Sequence, residues 1–428
     1  MADTNHKMTL EAPLAAALEW LFRTRAPAAV ERKAREVMLD TFGCVLAARR
    51  HPEATAFGKA LEAADPGSAS SEAAYFAAAA CWDEACEGLA RSHGRPGLTV
   101  LGACHALARN RAHSFGAVLA AYLTGYEVGA RLGESMRVGP GMHVDGAWPC
   151  FGVAAAVVRL LGGSAAQALA AIRVAACQMP YSLYLPVAAG ANARNTYLSH
   201  SAQLGMLAAS AALSGIAAPE GALEELRARA LAGAPPAPPV APSGEWLILE
   251  SYLKPYAAVR HVHYGAAAAQ VLREDIGDRL KEIRGIELST YAEALVYCGN
   301  RAPRSAIQAQ FSLSYGVACM LATGELVPDS YGVKLLGSPE IRNLEEQIKL
   351  TENTSRTHSG KRGATLSIEL GGEIRMLAVE SIAGDPDQPM SREEILVKFA
   401  RYSGLSAARG AQFHDAAGGR RYSEISPV

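Results

Sequence analysis

The sequence predicts a mainly α protein, built as a large all-helical domain plus a smaller α+β domain. Three observations carry this expectation. Apolar residues recur at helical spacing almost without a break from Leu10 to about Gly215. After Ile276 the pattern turns to strand-like alternation, and Gly371-Gly372 joins two alternating runs as a hairpin. At 428 residues the chain exceeds one ordinary core, so two domains are the first expectation.

The elements follow in order. Met1 to Met8 is polar, with no apolar stretch of the kind a secretory signal needs. Leu14, Ala17, Leu18 and Leu21 then share one helix face, and Ala29 to Ala47 continues as a second amphipathic unit. Further helices are predicted over Ser71–Cys81, Leu101–Ala108, Ser114–Leu132, Phe151–Leu161, Ala165–Ala176 and Ala202–Leu213. Their alanine and glycine richness lets helix axes approach closely. Five prolines between Ala232 and Gly244 forbid a helix and favour an extended surface loop. A helix resumes from Tyr264 to Glu274. Strands are expected over Ile283–Tyr291, Gln347–Leu350, Ala364–Leu370 and Glu373–Val379, interleaved with helices at Ser305–Ala322 and Ser338–Ile348. Ser391, with Glu393 and Glu394 behind it, caps a last helix that returns to the helical part. The expected domains are therefore 1–274 with 391–428, and 275–390.

Composition narrows function. Half the residues are hydrophobic, 19% are charged, and the formal net charge is −1. That balance supplies no concentrated basic face for nucleic acid or an anionic membrane. Val174–Ala193 and Ser201–Ala218 are uncharged and long enough to span a bilayer. Prolines and polar residues in the first, and Ala, Ser and Gly in the second, fit close-packed helices in a core instead. The eight cysteines form no C-x-x-C pair and sit mostly among apolar neighbours, as expected of a reduced cytoplasmic protein. No phosphate-binding loop, dinucleotide fingerprint or nucleophile elbow is present; Gly360-Lys361-Arg362-Gly363 reads as a basic turn. His261 and His263 form a His-x-His pair, but no third metal ligand follows at a recognisable spacing.

Several segments carry a resemblance. Gly384-Asp385-Pro386-Asp387-Gln388-Pro389-Met390-Ser391, followed by an acidic helix start and Lys398-Phe399, is a family signature. Cys81-Trp82-Asp83-Glu84-Ala85-Cys86, Gly141-Met142-His143, Arg194-Asn195-Thr196-Tyr197, Lys254-Pro255-Tyr256 and Gln310-Phe311-Ser312-Leu313-Ser314-Tyr315 join it. Together they make the chain similar to the MmgE/PrpD family, which includes 2-methylcitrate dehydratase, cis-aconitate decarboxylase and iminodisuccinate epimerase. The resemblance implies a cofactor-independent, metal-free enzyme acting on a small di- or tricarboxylic acid, with relatives forming homodimers. It carries over a catalytic set of His143, His263, Tyr315 and Asp83. Arg194, Arg95, Tyr197, Lys254 and His93 are carried over as substrate-binding residues. Arg194 stands where relatives have lysine, and Arg95 where they have histidine, a shift from proton shuttling toward anion binding.

These residue types suit the chemistry. Removing a proton beside a carboxylate needs a base that titrates near neutrality, and guanidinium groups steady the developing charge. Dehydration is the first reading. Epimerisation or decarboxylation on the same scaffold is the alternative, and a binding or substrate-shaping protein without proton transfer is a second.

Overall fold

A computed structural model describes residues 9–428. The polar stretch 1–8 lies outside the described residues. Helices dominate, with one four-stranded sheet among the described residues.

In the helical domain, Gly97–Ala108, Pro149–Leu160 and Tyr197–Leu213 form the central layer, flanked by Ala28–Ala48, Ala69–Cys81, Phe115–Ser135 and Ala165–Ala176. Every residue of Gly97–Ala108 is buried, which is why its sequence shows no polar face. Small residues set the spacing. A Cβ on Gly125 would lie 2.5 Å from the Gly152 carbonyl oxygen, so helices Phe115–Ser135 and Pro149–Leu160 touch backbone to backbone there. Helix starts follow the caps: Ser68, Ser114 and Ser164 each accept a backbone N–H from the first turn, and Ser164 completes a capping box with Gln167.

The α+β domain holds strands β1 (Ile283–Thr290), β2 (Ile348–Glu352), β3 (Ala364–Leu370) and β4 (Glu373–Val379), in the order β2-β1-β3-β4. β1 pairs parallel with β2 and antiparallel with β3, and β3 with β4 makes the glycine hairpin. Helices His263–Ile276 and Leu313–Thr323 cover the sheet.

Among the differences from the sequence expectation are three with a plain physical reading. The helix expected over 305–322 is broken into Ala306–Gln310 and Leu313–Thr323, because Ser312 caps a new start by accepting the Tyr315 N–H. Pro52–Ala64 forms a helix the periodicity did not show, since Ala54 is its one buried residue. Arg392–Ser403 is not the last helix: Ala407–His414 and Tyr422–Ile425 follow.

The signature segment acts between layers. Ser391 and Glu394 form a capping box that opens helix Arg392–Ser403, which packs along Ala28–Ala48. From it, Lys398 ion-pairs with buried Asp40 and donates to the Ala85 carbonyl at 2.7 Å. Gly384 lies flat on the backbone of Leu253, where a Cβ would approach the carbonyl oxygen to 2.0 Å at a φ of 95°. Only glycine fits that seat, and Leu253 precedes Lys254. No helix is long and apolar enough to cross a membrane among the described residues.

Candidate active site

A cavity of about 590 Å³ is lined by residues of both domains. Its helical side comes from segments 89–95 and 133–148 with Tyr184 and Arg194; Glu293, Tyr297, Phe311 and Arg362 come from the other side. The strand-free segment 252–261 runs between them.

Five of the nine residues expected from sequence line this cavity: His93, Arg95, His143, Arg194 and Lys254. Asp83, Tyr197, His263 and Tyr315 lie outside the lining. Asp83 is buried and accepts from the His51 ring at 2.7 Å. The Tyr197 hydroxyl donates to the Leu183 carbonyl at 2.7 Å, and its ring braces His143 at 5.4 Å. His263 is wholly buried and donates from Nε2 to the Ala258 carbonyl at 2.9 Å. The Tyr315 hydroxyl, also buried, donates to the Ser330 carbonyl at 2.6 Å.

The His51–Asp83 contact makes a prediction. The hydrogen bond to Asp83 raises the His51 pKa above its ordinary value, against burial. A raised histidine pKa stabilises the fold below the unfolded value of about 6.5, and that stability is lost as pH rises through the folded pKa. The stability gap between the unmutated protein and His51→Gln, from urea unfolding, should therefore be widest below the unfolded value of about 6.5 and shrink as pH rises above it. A gap that stays constant with pH would show that the pair is not charged.

Glu84 is the centre of the cavity floor. Its carboxylate receives Arg95 at 2.7 Å, Lys254 at 2.8 Å and Arg194 in a close ion pair. Lys254 Nζ also donates to the Glu84 carbonyl at 2.9 Å. Arg95 makes a second ion pair with Asp145. Glu84 and His93 are the two non-glycine residues with left-handed backbone among those described, at φ 52° and 53°, and both border this cavity. Conformations of that kind cost of order 1–3 kcal/mol and gather where a site demands them. Lys398 steadies the same turn through Ala85.

Three imidazoles face the cavity. Burial lowers the pKa of His143, with Arg95 acting the same way and Asp145 opposing. Its Nδ1 accepts the Asp145 N–H at 3.2 Å, so the neutral ring carries its proton on Nε2. Its ring stacks on Tyr184 at 5.9 Å; Tyr184 meets Tyr297, and Tyr297 stacks on His261 at 6.2 Å. His261 lies 2.5 Å through Nδ1 from the Tyr291 hydroxyl. Burial pushes its pKa to about 3, with Arg362 and Arg260 adding to the effect. His93 sits at about 4, again through burial first and then Arg137 and Arg362. All three are neutral at pH 7. Burial likewise lowers the Lys254 pKa.

Sequence reasoning chose His263 from the His-x-His pair, whereas His261 reaches the cavity. The helical pattern from Tyr264 onward was the available signal: His263 is the first residue of helix His263–Ile276, and His261 belongs to the preceding turn. Glu84, Asp145, Arg260 and Arg137 were not singled out, and Arg362 was read only as part of a basic turn. Among the described residues, no cluster of His, Cys, Asp and Glu is placed to hold a metal ion.

The class of protein is set by a helical domain joined to a four-stranded α+β domain, with a cationic, imidazole-bearing cavity that both of them line. The MmgE/PrpD N-terminal domain matches residues 14–231 and the MmgE/PrpD C-terminal domain matches 256–416. The chain belongs to the MmgE/PrpD family, a family of dehydratase- and lyase-type enzymes. No curated protein matches it.

Proposed function

We propose that the chain is a cofactor-independent lyase that removes a proton beside a carboxylate of a small di- or tricarboxylic acid, as a dehydratase does. One observation carries this reading: three neutral imidazoles border a cavity that has six cationic side chains against three carboxylates. An anionic substrate is drawn in by the surplus charge, and an uncharged imidazole can donate or accept a proton according to which ring nitrogen faces it.

His261 is the proposed base. Its Nδ1 is held by Tyr291, leaving Nε2 for the substrate. A bound carboxylate offsets Arg260 and Arg362 and so restores the basicity that they suppress. His143 is the proposed acid, because the neutral ring presents Nε2–H. The base takes the proton from the carbon beside the carboxylate. Those electrons form the double bond, the carbon–oxygen bond on the neighbouring carbon breaks, and the hydroxyl leaves as water with the proton from His143. Arg95, Arg194 and Lys254, gathered on Glu84, give the floor its positive potential without a mobile ion.

The test is deuterium uptake from heavy water by citrate-like, aconitate-like and aspartate-derived acids, followed by NMR with the unmutated protein. Uptake with loss of water supports the dehydratase reading. Uptake without elimination points to epimerisation. No uptake from any of these acids would end the proton-transfer reading.

A further inference from the structure

We propose that Arg137 and Arg362, which reach the cavity from the two domains, are the pair that holds the substrate's carboxylates. The proposal rests on the carboxylic-acid reading above and deepens it, since the cations first suggested by sequence, Arg95 and Arg194, already have partners.

The argument is an inventory of positive charge. Arg95, Arg194 and Lys254 converge on Glu84, and Arg95 is shared with Asp145. Arg260 is ion-paired with Asp385 of the signature loop. Two of the six cations remain. Arg137 follows helix Phe115–Ser135, makes no ion pair among the described residues, and has a buried Nη1 without a hydrogen-bond partner. Arg362 precedes β3, and its one carboxylate neighbour among the described residues is Glu293, at 3.8 Å and so beyond hydrogen-bond reach. A guanidinium held partly out of water without its anion is costly, and a ligand carboxylate is the group that completes it in a two-toothed fork.

The two arginines also line the same cavity as His93, His261 and Glu293. Both act on His93, and Glu293 acts on both of them. His93 in turn bears on His261, the proposed base. A carboxylate held by Arg137 and Arg362 offsets the positive field that adds to burial in suppressing the two imidazoles. Binding and activation of the base become one event, and an empty cavity holds a weak base.

The experiment measures binding apart from turnover. Tricarballylate, a three-carboxylate probe with no hydroxyl to lose, is titrated calorimetrically into the unmutated protein, Arg137→Gln and Arg362→Gln. Each variant should bind about tenfold or more weakly, the value of one charge-assisted pair. Arg362→Lys should fall between, keeping the charge but losing the fork. In both glutamine variants without ligand, the His93 titration followed by NMR should move up from about 4, which reads the charge of each arginine on the cavity apart from its effect on binding. Arg304→Gln, on an exposed loop position, should bind like the unmutated protein. Unchanged affinity in folded Arg137→Gln and Arg362→Gln overturns the proposal, as does failure of the unmutated protein to bind tricarballylate at millimolar concentration. Arginine-dependent binding without deuterium exchange would sink the lyase reading and leave the clamp standing.

Discussion

Replacing His143 by alanine is expected to abolish elimination while sparing proton exchange. The ring's Nδ1 is occupied by the Asp145 N–H, so at neutral pH it offers a proton and has no free lone pair with which to take one. Loss of a positioned general acid costs roughly 10²–10⁴ in rate. His143→Ala should therefore lose water elimination by that factor and still exchange the substrate's proton with heavy water. His261→Ala should lose both, because nothing then takes the proton. Measuring the two rates on one substrate separates the roles. If His143→Ala loses exchange as completely as His261→Ala, the assignment of acid and base fails.

Glu84→Gln is expected to be the most destabilising conservative change near the cavity. One carboxylate, only 3% exposed, faces three cations that are themselves almost fully buried. Glutamine preserves shape and removes the charge, which leaves Arg95, Arg194 and Lys254 pressed together with only Asp145 to offset them. Removing one partner of a buried ion pair typically costs about 3–5 kcal/mol. The urea midpoint should fall accordingly. Lys254→Met added to Glu84→Gln should recover part of the loss, since it removes one of the stranded cations. A loss below about 1 kcal/mol, the size of an ordinary surface pair, would mean that Glu84 does not bind the cluster together.

Much of this was legible in the chain. The helices with one buried stripe, such as Glu11–Arg23, announced themselves by period, and the Gly371-Gly372 hairpin by its turn chemistry. Pro52–Ala64 was silent because it buries almost nothing. In the site, His143, Arg194 and Lys254 could be found because they sit in recognisable short motifs. Arg362 and Arg137 could not: Arg362 lies in a glycine-flanked segment and Arg137 in the loop after helix Phe115–Ser135, both look like ordinary solvent-facing sequence, and only the folded chain brings them to one cavity. Glu84 was hidden differently. It stands next to Asp83, and a sequence does not reveal that a left-handed backbone turns one carboxylate inward to the cations while its neighbour pairs with His51.

Lys398 and the helix that bears it have a consequence for anyone who would take this protein apart. The two family domains meet in the interval between 231 and 256, which looks like a natural place to divide the gene. The molecule has no such seam, because Ile395, Leu396 and Phe399 of the second domain are buried on a helix that packs along Ala28–Ala48 of the first. A fragment ending near 231 would bare an oily trench along Ala28–Ala48 and strand Asp40 without its counter-charge. Halves produced separately should be insoluble, and the whole should be obtainable only as one piece or by co-expression.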